Sequence, residues 1–63
     1  MWYVYFLELQ NGDIYVGSTS ELKKRFATHQ KGQVSSTKLY LPVVLKSYVA
    51  VQEEHTARDL EKY

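Results

Sequence analysis

The side chains with chemistry to offer fall into three groups along this sequence. Six tyrosines are scattered through it, and Tyr3, Tyr5 and Tyr15 crowd near its start. From Leu22 to Gln52 the chain carries Lys23, Lys24, Arg25, Lys31, Lys38 and Lys46 with no Asp or Glu. The acids sit to either side: Glu8, Asp13 and Glu21 before, then Glu53, Glu54, Asp59 and Glu61 after. A basic middle beside an acidic cluster would bring a phosphate backbone close to a metal-binding carboxylate. The same pattern also describes ordinary solvated charge, and the net charge of +1 decides nothing between them. With no cysteine, disulfides and thiolate metal sites are excluded. His29 and His55 are too few for a closed zinc site without carboxylate help.

The elements that must position these groups are legible from pattern. Residues 2–9 are aromatic and β-branched and read as a strand. Asn11-Gly12 is a hairpin signal, because both residue types tolerate positive φ. Residues 14–16 return as a second strand, and residues 17–20 break it, with Thr19 or Ser20 placed to cap a helix. That helix spans 21–30, with an apolar stripe of Leu22 and Phe26, Ala27 beside them, Glu21 in its first turn and Gly32 as its stop. Residues 33–42 form a polar loop, 43–51 a third strand, and 53–63 a second helix with Ala57 and Leu60 inward. That last helix meets no stop signal before Tyr63 and reads as cut short. The order β-β-α-β-α implies an α+β fold, a three-stranded antiparallel sheet flanked by helices.

Sixty-three residues suffice for a single domain, 1–63, that buries only ~60% of its unfolded surface. The apolar stretch 1–7 lacks a basic leader and a cleavage site, and no run reaches the ~20 apolar residues of a membrane span. The expectation is a cytoplasmic protein without a membrane partner.

Two tripeptides, Tyr3-Val4-Tyr5 and Tyr15-Val16-Gly17, lie on the paired strands. They resemble the motifs that name the GIY-YIG nuclease superfamily, although Tyr3 stands where the name has glycine. Further similarities follow in order: Gly17-Ser18-Thr19 with Leu22 and Arg25, His29 one turn later, Ser36-Thr37-Lys38 ahead of Pro42, and Ala57, Leu60 and Glu61 on the last helix. The chain looks most like small stand-alone bacterial members, akin to the N-terminal nuclease domain of the repair protein UvrC. Family domains usually continue past the glutamate helix, an extension this sequence does not contain.

The resemblance implies a metal-dependent endonuclease that hydrolyses DNA, on branched or damaged substrates in repair or recombination. Glu61 is then the metal ligand, for magnesium or for manganese in its place, since such sparse sites complete their shells with water and phosphate oxygens. Arg25 meets the scissile phosphate with forked donors of fixed charge. Tyr15 is the water-activating base and Tyr5 its orienting partner. A phenol of ordinary pKa ≈ 10 needs nearby cations or a proton acceptor for that task, and His29, four residues after Arg25, is the candidate acceptor. Lys24, Thr37 and Lys38 would contact the nucleic-acid backbone. Tyr3, Tyr40, Tyr48 and Tyr63 are assigned to packing. A non-catalytic nucleic-acid-binding module with the same basic surface is the alternative, and a homodimer through an open sheet edge is a third reading.

Hairpin geometry supplies an independent condition. A two-residue Asn11-Gly12 turn would pair Gln10 with Asp13 and send Tyr5 and Tyr15 to opposite faces. A shared site therefore demands an odd-numbered loop or a bulge.

Overall fold

The computed structural model describes residues 1–62, so Tyr63 and the expected packing role of its ring lie outside the described residues. The elements follow in the order β1 (Trp2–Glu8), β2 (Ile14–Thr19), α1 (Leu22–Gln30), a 3₁₀ turn (Lys38–Tyr40), β3 (Val44–Val51) and α2 (Glu54–Glu61). β1 lies between β2 and β3, antiparallel to both. This is the expected three-stranded α+β arrangement.

The hairpin meets the condition set by the two phenols. Glu8 pairs with Ile14, and the Leu9 N–H donates to the Asp13 carbonyl at 2.8 Å. Between them Gln10, Asn11 and Gly12 make a three-residue loop, closed by Gly12 N–H to Leu9 carbonyl at 2.9 Å. Gly12 sits at φ +89°, the left-handed position that a type I turn with a G1 bulge requires. The Asn11 side chain holds the loop from outside, accepting the Asp13 N–H and donating to its carboxylate, both at 3.0 Å.

Two boundary differences bear on the site. β2 runs on through Gly17, Ser18 and Thr19, which pair with Tyr5, Val4 and Tyr3. Ladder pairing to a central strand overrides the weak strand preference of Gly and Ser. α1 accordingly begins at Leu22, with Glu21 at the cap position rather than in the first turn. Thr19 still serves the turn: its hydroxyl accepts the Glu21 N–H at 3.0 Å. Gly32 ends α1 as expected, at φ +74° with its N–H on the His29 carbonyl.

Tyr5, Leu7, Leu9 and Val43 form the buried core, and Leu22 and Phe26 of α1 close over it with Tyr15, Leu41 and Leu45. α2 lies against β1 and β2, where Ala57 is wholly buried. Leu60 departs from expectation. It is 37% exposed, whereas Ala57, three positions earlier, is fully enclosed. No helix among the described residues is long and apolar enough to cross a membrane.

Candidate active site

The odd loop places Leu7 opposite Tyr15 and Tyr5 opposite Gly17, so both phenols rise from the same face of the sheet. Their ring centroids are 6.3 Å apart. The Tyr5 ring lies across Gly17, where an added Cβ would fall inside van der Waals distance of the phenol. Glycine in the second motif is thus a steric requirement of the first motif's tyrosine.

α1 brings Arg25 and His29 to this face from successive turns. The Tyr5 hydroxyl stands 3.0 Å from His29 Nε2, and Arg25 Nε–H donates to the same oxygen at 3.4 Å. His29 Nδ1 lies 2.9 Å from the Thr37 hydroxyl. Tyr5 and His29 are both buried, and burial sets their ionisation. It pushes the Tyr5 phenol up; the Arg25 hydrogen bond opposes it, while the charges of Tyr15 and Glu61 add to the rise. Burial lowers His29, and the Arg25 charge lowers it further. The Arg25 guanidinium is raised, chiefly by its bond to Tyr5. Around neutral pH the three are a neutral phenol, a neutral imidazole and a cation.

Glu61 completes the arrangement from α2. It lines one open cleft of about 390 Å³ together with Tyr5, Tyr15, Gly17, Ser18 and Arg25. Arg58 and Lys62 line it too, and these two were not anticipated. Arg58 stands three positions before Glu61, a spacing that shares a helix face and could have flagged it. Its guanidinium is paired with Glu54.

The donor set around the cleft fits a hard divalent cation. Among the described residues no group of three or more His, Asp or Glu could hold a metal, and Glu61 is the one carboxylate of the cleft. Magnesium characteristically takes one or two carboxylates and completes its octahedron with water and phosphate oxygens.

Two sequence expectations need correction. Thr37 cannot touch a nucleic-acid backbone: it is 0% exposed and its hydroxyl is engaged by His29. His29 makes its hydroxyl contact with Tyr5 rather than with Tyr15, which meets the imidazole edge-on at a centroid distance of 5.1 Å. Lys24 and Lys38 are exposed, as surface contacts must be, with Lys24 3.7 Å from the Glu21 carboxylate.

Known proteins bear out the likeness. The family described as GIY-YIG catalytic domain matches residues 1–63. A UPF0213 protein of Bacillus cereus is 37% identical over 60 residues, covering 94% of this chain and 62% of the relative. A UPF0213 protein of Streptococcus pyogenes is 38% identical over 60 residues, with 94% and 65% covered. The solution NMR structure of the UPF0213 protein BH0048 from Bacillus halodurans superposes with a TM-score of 0.60 at 30% identity, covering 98% of this chain and 68% of that one. The chain therefore spans under two thirds of the length of these curated relatives. Nucleases of the matched family act on DNA and are generally dependent on divalent metals. By sequence over its whole length and by fold, this chain belongs to the GIY-YIG nuclease family.

Proposed function

We propose that the chain is a divalent-metal-dependent endonuclease that hydrolyses DNA phosphodiesters, with branched or damaged DNA as its substrate in repair. One observation carries this reading: two phenols, a guanidinium and a carboxylate from four separate elements line a single cleft. A pure binding module needs only cations.

In this mechanism Arg25 holds the scissile phosphate, its charge matched to the negative charge that grows on the phosphoryl oxygens. Glu61 would hold magnesium or manganese. The ion, when bound, supplies Lewis-acid stabilisation of the phosphoryl group and of the leaving oxygen. Tyr15, the more open of the two phenols, works as its phenolate and takes a proton from the attacking water. The water oxygen forms the new bond to phosphorus as the bond to the leaving oxygen breaks. Tyr5 fixes the Arg25 side chain by accepting its Nε–H. His29 anchors Tyr5 from beneath. Lys24 and Lys38 supply salt-sensitive backbone contacts, and the open edge of β3 is where a second copy would pair.

The test is magnesium-dependent nicking of plasmid and branched DNA by the wild type, Glu61→Ala and Tyr15→Phe. Cutting by the wild type that both substitutions abolish is the expected result. Cutting that survives Glu61→Ala would overturn the mechanism. Retained DNA binding with no cutting by the wild type would favour the non-catalytic module.

A further inference from the structure

The mechanism above leaves one buried polar side chain without a task. Thr37 sits in the loop between α1 and β3, with its hydroxyl 2.9 Å from His29 Nδ1 and 3.5 Å from the Val34 carbonyl. A hydroxyl at the surface of such a loop would need no explanation. One that is fully enclosed against a buried imidazole has to have its hydrogen accounted for.

Counting hydrogens separates the two neutral forms of His29. Arg25 Nε–H is a fixed donor, so the Tyr5 oxygen accepts from it. Suppose the imidazole proton were on Nε2. Two donors would then converge on that oxygen, and the Tyr5 hydrogen would face neither of the groups bonded to it. Suppose instead the proton is on Nδ1. Thr37 then accepts it and turns its own hydrogen to the Val34 carbonyl, Nε2 is left bare, and Tyr5 donates to it. Every hydrogen in the chain now meets an acceptor. The last link is the weakest, because Val34 also accepts the backbone N–H groups of Thr37 and Lys38 at 3.1 and 2.9 Å. A shared acceptor is still better than an unpaired phenol hydrogen.

We infer that Thr37 is a positioning residue, which fixes His29 as the Nδ1–H tautomer and so makes Nε2 a standing acceptor for the Tyr5 proton. A second consequence follows from the direction of these bonds. Because Thr37 accepts rather than donates, its bond to Nδ1 persists when Nε2 becomes protonated. His29 can therefore take a proton from Tyr5 and return it without breaking its inner contact. In the opposite tautomer that contact would have to reverse. The catalytic meaning of this device rests on the nuclease reading, whereas the tautomer itself does not.

Long-range ¹H–¹⁵N correlation spectra of the imidazoles at neutral pH read the tautomer directly, with exposed His55 as an internal reference. The wild type is expected to show His29 protonated at Nδ1. Thr37→Val, which keeps the shape and deletes the acceptor, should shift His29 toward Nε2–H, and Thr37→Ser should restore the wild-type pattern. In a cleavage assay Thr37→Val should lower kcat about tenfold or more with KM unchanged, and Thr37→Ser should recover it. His29 found as Nε2–H in the wild type overturns the inference, as does an unchanged tautomer in a folded Thr37→Val protein. The wild-type spectrum decides the matter even if Thr37→Val does not fold. Absence of cleavage by the wild type would defeat the nuclease reading alone, leaving the tautomer result to be judged separately.

Discussion

The two helices contribute to one cleft in opposite ways. α1 delivers Arg25 and His29 already bonded: to Tyr5, and through Thr37 to the loop beyond. α2 delivers Glu61 with no ion pair to another side chain among the described residues, alongside Arg58 and Lys62. On the α1 side His29 and its partner Tyr5 are enclosed, and burial sets their ionisation. Each helix encloses one residue fully, His29 in α1 and Ala57 in α2, but most of the other α2 side chains are exposed where most of those of α1 are half-buried. The contrast teaches that this site separates preorganisation from recruitment. The phenol and guanidinium are held before any ligand arrives, while the carboxylate keeps its lone pairs for one. Substitutions on the two sides should therefore fail differently.

The sharpest division is expected at Glu61. Glu61→Ala should lower cleavage by about a hundred- to a thousandfold, as loss of a charge-stabilising group does, and leave thermal unfolding within about half a kcal/mol of wild type. A large loss of stability there would erase the contrast, because it would make α2 as structural as α1. Tyr5→Phe should do the reverse. It strips His29 Nε2 of its partner in a buried setting and should cost about 1–3 kcal/mol in urea unfolding. Gly17→Ala forces the Tyr5 ring to move and should destabilise by about 1–3 kcal/mol, with activity falling in step.

A smaller effect follows from pH. The folded pKa of His29 lies below its unfolded value of about 6.5, so between the two the unfolded chain binds more protons. Stability should be fully present above pH ~6.5 and decline as pH falls through the folded value. Tyr5 carries the opposite sign: its folded pKa is raised, so its contribution is present below pH ~10 and lost as pH rises. Urea unfolding as a function of pH should show a plateau between those limits, and His29→Gln should remove the acidic slope specifically. The smallest effect belongs to the exposed cations. Lys24→Ala and Lys38→Ala should each weaken DNA binding modestly and reduce the salt dependence by about one unit of slope, without altering kcat.

Local pattern carried the enclosed side further than its details. The strands, the Gly32 stop and the order of elements were readable because each rests on short-range chemistry. The odd hairpin loop was readable only by adding a condition, that two tyrosines share a face, to a turn motif whose simplest form says otherwise. Thr37 was misread for the converse reason. Nothing local marks a loop threonine as buried, since its enclosure depends on an imidazole eight positions earlier. The extension of β2 through Gly17-Ser18-Thr19 was hidden because ladder partners on β1, not the residues' own preferences, hold it extended. Arg58 and Lys62 are legible in the sequence only as neighbours of Glu61; that they face the cleft depends on how α2 packs on β1 and β2.

The Gln10-Asn11-Gly12 loop imposes a rule of parity on the hairpin. Side chains alternate along a strand, so removing or adding one residue there would put Tyr15 out of phase with Tyr5 and turn it to the far side of the sheet. A change of two residues would keep the phase. Length variation at this tip should therefore be tolerated in even steps.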